Sequence, residues 1–432
     1  MTRPFCPCAA LRSSLLVLCL GAWGGVSAAA DASAPDGLPA ELDALNLADQ
    51  VEVKSPTKVT PWRVFAEVGL GQIRETADNL TTRRLSLDGR YDDRWNSAGG
   101  LRVVLSGRID VGHRRDEGTQ DVATLREAYV GWQLNDATAL EFGRINVRHG
   151  VAYGYNPTDF FRGNALRAVT SPDPAVLREN RQGTVALQAQ HLWRNGSITA
   201  LVSPDLGHMP TRDAYSLDLG ATNPGTRWLF AVGQRFSDWL NPQLLLQGGT
   251  GQSAQGGLNL AVPLGNAVVG FAELAWGQGE TVTSAALQSG GPRRSRTRSA
   301  LGLTVTTAFD LSLTLEAQGN SAGLNDSDWR SLDATQRAAV LAWADAQQDL
   351  PTRQALFLHA LWKNVSGSGV DLAGYVRREA ATGSRDHWLE VRYRWNDTDL
   401  ALQWQQYSGD ATSVFGFVPA RRNIEVQLRQ YF

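Results

Sequence analysis

The chain has 432 residues, with 41 lysines and arginines against 43 aspartates and glutamates, for a formal net charge of -2. That balance leaves no basic footprint for a nucleic-acid partner. Lys54, Lys58 and Lys363 are the only lysines, so arginine carries nearly all the positive charge, and arginine is the cation that forks onto carboxylates and phosphates through two hydrogen bonds.

Residues 1–30 read as a secretory signal peptide: Arg3 and Arg12 precede the apolar run from Ser14 to Val26, and Val26-Ser27-Ala28 and Ala28-Ala29-Ala30 offer cleavage sites. Cys6, Cys8 and Cys19 all lie inside it, so the mature chain is expected to have no disulfide, no thiol chemistry and no cysteine metal site. Cys19 follows Leu16-Val17-Leu18, where a lipoprotein signal wants a small residue, so cleavage without lipidation is expected. Residues 31–58, acidic and broken by Pro35, Pro39 and Pro56, read as a periplasmic tail too short to be a folded plug. No later apolar run is long enough for a membrane-spanning helix.

From Trp62 onward, apolar and polar residues alternate in short segments, the pattern of two-faced strands. Eighteen strands are predicted, at 62–72, 83–91, 99–112, 123–134, 138–148, 183–193, 196–203, 226–236, 243–250, 256–263, 267–278, 297–308, 311–320, 354–363, 369–379, 387–396, 398–408 and 421–432; sixteen is the other count considered. Connections after even-numbered strands are mostly turn-like (Asn135-Asp136, Arg194-Asn195-Gly196, Pro263 to Asn266, Asn364 to Ser368, Asn396-Asp397). Those after odd-numbered strands are mostly long (His149 to Gln182, Pro204 to Gly225, Gln278 to Arg296, Ser321 to Arg353). A soluble sandwich has no reason to sort its loops by parity, whereas a transmembrane up-and-down β-barrel puts short turns on one side and long loops on the other.

Trp62, Trp95, Trp132, Trp193, Trp239, Trp362 and Trp395 all fall at the short-turn ends of their strands, the position of an aromatic girdle at a membrane interface. Individual strands show which face meets lipid. Leu400, Leu402 and Trp404 alternate with Asp399, Gln403 and Gln405; Leu311, Leu313 and Leu315 with Ser312, Thr314, Glu316 and Gln318; Leu389, Val391, Tyr393 and Trp395 with Glu390, Arg392 and Arg394. The polar set is expected to line a wet interior too wide to be filled by side chains alone. Asp326 to Gln348 is the one predicted helical segment, with Asp333 and Gln336 as a capping pair, placed over the outer mouth.

The last strand sets Ile424, Val426, Leu428 and the terminal Phe432 against Asn423, Glu425, Gln427 and Arg429. An apolar alternation ending on Phe is similar to the assembly signal of Gram-negative outer-membrane β-barrels, although Gln430 departs from that pattern. The resemblance implies an outer-membrane location, lipid around the barrel and the barrel-assembly machinery as a partner. Further along the same line, Leu125-Arg126-Glu127-Ala128-Tyr129, Leu140-Glu141-Phe142-Gly143-Arg144 and Asn156-Pro157-Thr158-Asp159 resemble a pattern in monomeric porin-like barrels of the alginate-export-like and related families. This stretch implies a porin-like barrel and favours a monomer, without implying alginate.

Enzymatic readings fare poorly. None of the six histidines is followed two places on by Ser, as outer-membrane phospholipases require, and the Asp92-Asp93 and Asp386-His387 pairs fall at opposite ends of the barrel. His191 reads as an interfacial side chain, and no phosphate loop, metal cluster or cofactor is expected. A passive or weakly selective channel for small hydrophilic, and in part anionic, solutes is the expected function; an exit port for a secreted polysaccharide or another product is the alternative. The loop from His149 to Gln182 is too long for a casual turn and is expected to fold inward as a constriction. Its candidate residues, with those of the adjoining strands, are Arg108, Asp110, Arg126, Glu127, Arg144, Arg148, Asp159, Arg162, Arg178 and Arg181.

Overall fold

The computed structural model describes residues 60–432, apart from 77, 96–98, 117 and 212. The signal peptide and tail therefore lie outside the described residues. The strands run in chain order as β1 (Trp62–Glu75), β2 (Asn79–Trp95), β3 (Leu101–Arg114), β4 (Gly118–Asn135), β5 (Thr138–Ile145), β6 (Thr184–Trp193), β7 (Gly196–Ser203), β8 (Arg227–Gln234) and β9 (Gln243–Gly249). The second half continues with β10 (Gln252–Pro263), β11 (Val268–Gly279), β12 (Arg294–Thr306), β13 (Leu311–Asn320), β14 (Gln354–Trp362), β15 (Val370–Glu379), β16 (Arg385–Trp395), β17 (Thr398–Ser408) and β18 (Ala420–Tyr431). Each pairs antiparallel with its neighbours, and β18 pairs with β1 in the register Leu428 to Val68 and Val426 to Leu70. The ring is closed, so no sheet edge is left to pair with another chain.

Period-two alternation puts an apolar belt on the outside, where Leu70, Leu87, Phe142, Val202, Leu315 and Leu402 are among the exposed side chains. The inside carries buried polar groups such as Glu67, Asp88, Glu273 and Glu316. Strands can cross a bilayer this way because every backbone group is bonded to a neighbouring strand and only apolar side chains face outward. Trp62, Trp95, Trp132, Trp193, Trp239 and Trp395 are all exposed, and all lie at the short-turn end.

The structure adjusts several predicted elements, among them β4, which begins at Gly118 rather than at 123. β2 extends well beyond 83–91 because its register with β3 continues from Thr82 to Trp95. β5 stops at Ile145 rather than at 148, because Asn146 turns inward and donates from Nδ2 to the Arg178 carbonyl at 3.0 Å. The turn placed at Asn135-Asp136 lies one residue later, since Asn135 pairs with Thr138. The predicted helix is two helices, α4 (Asp326–Ser331) and α5 (Ala334–Gln347), each opened by its own capping box, Asn325 with Asp328 and Asp333 with Gln336. Three further short helices, α1 (Pro174–Glu179), α2 (Leu219–Thr222) and α3 (Val282–Ala286), span too few residues to show a helical period in sequence.

Loop parity holds for the larger connections, at 146–183, 204–226, 280–293, 321–353 and 409–419. The same end also carries tight turns, as between β9 and β10. There, Val282, Leu324, Trp329, Val340 and Val414, from three different loops, bury one another and form a cap on the long-loop end.

Candidate functional site

The interior begins with charge. Glu67 on β1 is buried and receives Arg84 and Arg108 at 2.8 Å each on Oε1 and Arg429 at 2.6 Å on Oε2. Arg108 also reaches Asp110 at 2.8 Å, Arg84 reaches Glu425 at 2.6 Å, and Arg126 reaches Asp88 at 2.6 Å. A carboxylate removed from water needs this many donors, because an unpaired charge at such a site would be strongly destabilising. The network crosses five adjacent strands, β18, β1, β2, β3 and β4, and fixes that wall. On β4 a register shift opposite Ser106 and Gly107 turns two successive residues inward, so that Arg126 faces Asp88 while Glu127 pairs with Arg90.

The β5–β6 loop leaves this wall at Asn146 and crosses the lumen. At its stem Arg126 donates to Asn180 Oδ1 at 3.0 Å, Arg63 pairs with Glu179 at 3.0 Å, and Gln427 Nε2 donates to the Thr170 carbonyl at 3.1 Å. At its tip the backbone N–H groups of Val151 and Ala152 donate to Glu273 on β11 at 2.5 and 2.7 Å, and those of Tyr153 and Gly154 donate to Glu316 on β13 at 3.1 and 3.0 Å. Thr158 bonds Asn259 on β10 at 2.7 Å, and Arg377 on β15 donates to the Gly154 carbonyl at 2.9 Å. The tip is thus seated on strands far around the ring from those that root the loop. Its aromatics pack there: Tyr153 stacks on His359 at 4.1 Å between ring centres, and Phe161 lies beneath the Arg227 guanidinium at 4.3 Å.

The end of α5 rests on the other side of the same loop. Arg162 bonds the carbonyls of Asn156 and Gln347, Gln348 Nε2 donates to the Arg162 carbonyl at 2.7 Å, and Tyr155 donates to Asp349. Asp159 is fully buried against Arg181; burial alone would raise its carboxyl, but Arg181 and Arg178 beside it hold it below the ordinary range. Asp173 shows the opposite balance. Burial pushes its carboxyl up to about 6, although the Ala175 backbone N–H and the Tyr153 hydroxyl both donate to it.

The loop lies between open spaces on its two sides. Toward the long-loop end is a cavity of about 440 Å³ lined by Arg162, Arg227, Arg296 and Arg298, by Asp159, Glu280 and Asp349, and by Gln247, Gln255 and Trp343. Toward the short-turn end are two cavities of about 280 and 120 Å³ that share Leu361 and Lys363. The smaller is lined by Arg108, Arg126, Glu179, Glu390 and Arg392, and the larger by Tyr153, Phe271, His359 and three threonines.

Of the ten residues singled out in sequence, Asp159 and Arg162 line the first cavity, and Arg108 and Arg126 line the smaller one on the far side. Asp110 sits in the wall network. Arg144, Arg178 and Arg181 are buried: Arg144 on β5 donates to the carbonyls of Leu125 on β4 and Leu217 in the β7–β8 connection, Arg178 to that of His149 within the loop, and Arg181 to Gln348 and Asp159. Glu127 is held by Arg90, and Arg148 is exposed near the loop root. Sequence reasoning passed over Arg227, Arg296 and Arg298, although the run Arg293-Arg294-Ser295-Arg296-Thr297-Arg298 was a signal: alternate arginines at the start of a strand share one face. It also passed over Glu273 and Glu316 as loop partners, for which no local pattern exists.

No family model matches the chain, and no curated protein matches its sequence. In structure it is similar to OccAB1 of Acinetobacter baumannii (11% identity, TM-score 0.56, covering 86% of this chain and 96% of that one). It is also similar to two Pseudomonas aeruginosa structures: OccK2 (OpdF) solved in complex with glucuronate (13%, 0.52, 86% and 97%), and OpdQ (8%, 0.51, 87% and 99%). At these identities the likeness is one of fold, the closed antiparallel eighteen-stranded barrel of the Occ porins. It points to Occ and Opd barrels rather than to the alginate-export-like families that the stretch from Leu125 to Asp159 resembles.

Proposed function

We propose that the chain is an outer-membrane channel, not an enzyme, and that it passes small hydrophilic solutes with a weak preference for anions. The observation that carries this reading is the β5–β6 loop seated across the lumen, with open space on both sides and charged side chains lining each. A belt of exposed Leu, Val and Phe around a polar interior and the tryptophan girdle support a bilayer as the surroundings, and the sorting of short turns and long loops supports a periplasmic assignment for the short-turn end. The glucuronate bound by OccK2 is a small hydrophilic anion, which supports the solute class without fixing the solute. The closed ring leaves no strand edge through which a second copy could pair, and the apolar alternation of Ile424, Val426 and Leu428 supports recognition by the assembly machinery.

The anion preference rests on the long-loop cavity. Arg227 and Arg296 line it without a carboxylate partner among the described residues, Arg227 donating to the Thr222 carbonyl and Arg296 to that of Ser321. Arg162 and Arg298 share Asp349 at 3.5 and 3.4 Å. Positive potential thus exceeds negative at the entry, in a narrow space where water screens it poorly.

Reconstitution of the purified protein into a planar bilayer under a salt gradient tests this. The protein is expected to give discrete conductance steps with a reversal potential on the anion side. Replacing Arg227, Arg296 and Arg298 together with Ala should move the reversal potential toward cations. These three are the ones to replace, because they line the cavity, whereas Arg144 holds Leu125 and Leu217 and Arg178 holds His149. No conductance from correctly folded barrels would overturn the channel reading, and an unmoved reversal potential would overturn the assignment of the anion preference to this cavity.

A further inference from the structure

Glu273 and Glu316 are nearly inaccessible, at 2% and 0% exposed, and both accept hydrogen bonds from backbone amides and neutral side chains. Where Glu67 on β1 is held by three arginines, these two are held by the loop backbone. Glu273 accepts from the backbone N–H groups of Val151 at 2.5 Å, Ala152 at 2.7 Å and Thr158 at 3.4 Å, from Asn156 Nδ2 at 3.0 Å and from the Thr158 hydroxyl at 3.0 Å. Glu316 accepts from the backbone N–H groups of Tyr153 at 3.1 Å and Gly154 at 3.0 Å, and from Gln318 Nε2 at 2.8 Å. Successive backbone N–H groups converging on one oxygen form an anion nest, and here its anion belongs to the opposite wall.

The loop sequence is built for this seat. Gly150 adopts φ +112°, and a Cβ there would stand 2.5 Å from Glu273 Oε1; a Cβ on Gly154 would stand 2.6 Å from the Phe357 ring. Both glycines let the backbone come close to the wall. Asn156 and Thr158, in the motif Asn156-Pro157-Thr158-Asp159, supply the remaining donors to Glu273, which gives that motif a structural role.

We propose that Glu273 and Glu316 are the positioning residues of the channel constriction: as hydrogen-bond acceptors they hold the tip of the β5–β6 loop across the lumen, and so set the width and the selectivity of the path. The inference rests on the channel reading given above. Glutamine is the informative replacement, since it keeps size and shape but turns one acceptor oxygen into an N–H donor. At Glu273, where both oxygens already receive donors, an amide sets donor against donor whichever way it is turned.

The test uses the mature protein, after signal cleavage, with a reporter cysteine at Ala152, a fully buried residue of the loop tip itself. Labelling by a membrane-impermeant methanethiosulfonate reads loop position without any ion current. In the parent the reporter should label slowly; with E273Q and E316Q together the rate should rise about tenfold or more, while resistance of the barrel to heat in detergent stays unchanged. In bilayers the same double variant should show noisier open-state current, larger conductance and weaker ion selectivity. Should the double variant fail to fold, N156A/T158V breaks the Glu273 contact from the loop side and is expected to speed labelling in the same direction. Unchanged labelling in folded variants would overturn the latch even if the parent conducts. Faster labelling in a protein that carries no current would uphold the latch and overturn the channel.

Discussion

The backbone N–H of Phe432 donates to the carbonyl of Val64 at 3.0 Å, so the terminal residue of the chain is the last rung of the seam that closes the barrel. Its ring is 72% exposed and packs little. Deleting Phe432 should therefore lower the stability of the folded barrel by only about 1 kcal/mol, the net worth of one hydrogen bond. The assembled amount should fall far more, by an order of magnitude, if the ring is read by the assembly machinery. Quantifying heat-modifiable protein in outer membranes checks this; wild-type levels of the truncated chain would show that the ring plays no part in assembly.

Trp329 is fully buried in the cap, and its Nε1 donates to the Thr412 carbonyl at 2.7 Å. W329A should cost the cap about 3–5 kcal/mol by leaving a cavity, whereas W329F should lose roughly 1 kcal/mol with the hydrogen bond. Limited proteolysis from the long-loop side should cut the W329A variant in the loops while the strands stay protected. Equal protease resistance of the parent and W329A would show that the three loops are held by something other than this cluster.

Asp173 gives the loop stem a pH dependence whose sign follows from its shift. Burial raises its carboxyl from 3.8 to about 6, so the seated loop keeps a proton that the unseated loop gives up. Anchoring is then strongest below about 4, weakens as pH rises through the interval, and has lost this contribution above about 6. Glu390 and Arg392 face the same group from β16 and act in opposite directions on it. Amide hydrogen exchange of the 146–183 segment should accelerate between about pH 4 and 6 beyond its intrinsic pH dependence, and D173N should remove that excess while keeping an oxygen to accept from Ala175. The same excess in D173N would assign the pH response to another group.

The eighteen strands, their order and the faces of those read in detail could be read from residues 62–432, because a strand declares itself locally: the side-chain period is two, and a membrane barrel separates an apolar outside from a polar inside on every strand. The tryptophans at the short-turn ends were legible for the same reason, since an interface position depends on where along a single strand the residue sits. The inward fold of the β5–β6 loop was legible only as a length and a supply of charged and aromatic residues. What holds it was not. Val151 and Glu273 are 122 positions apart and Tyr153 and Glu316 are 163 apart, and nothing near either pair marks it as such. The division of the arginines was equally hidden. Arg144, Arg162 and Arg178 all look like lumen cations in sequence, but Arg144 turns to the carbonyls of Leu125 and Leu217 and Arg178 to that of His149, while Arg162 lines open space. Local alternation determines the barrel because each strand meets the same two media, lipid and water. The path through the barrel depends on which carboxylates, carbonyls and amides meet once the ring has closed, and only the tertiary structure decides that.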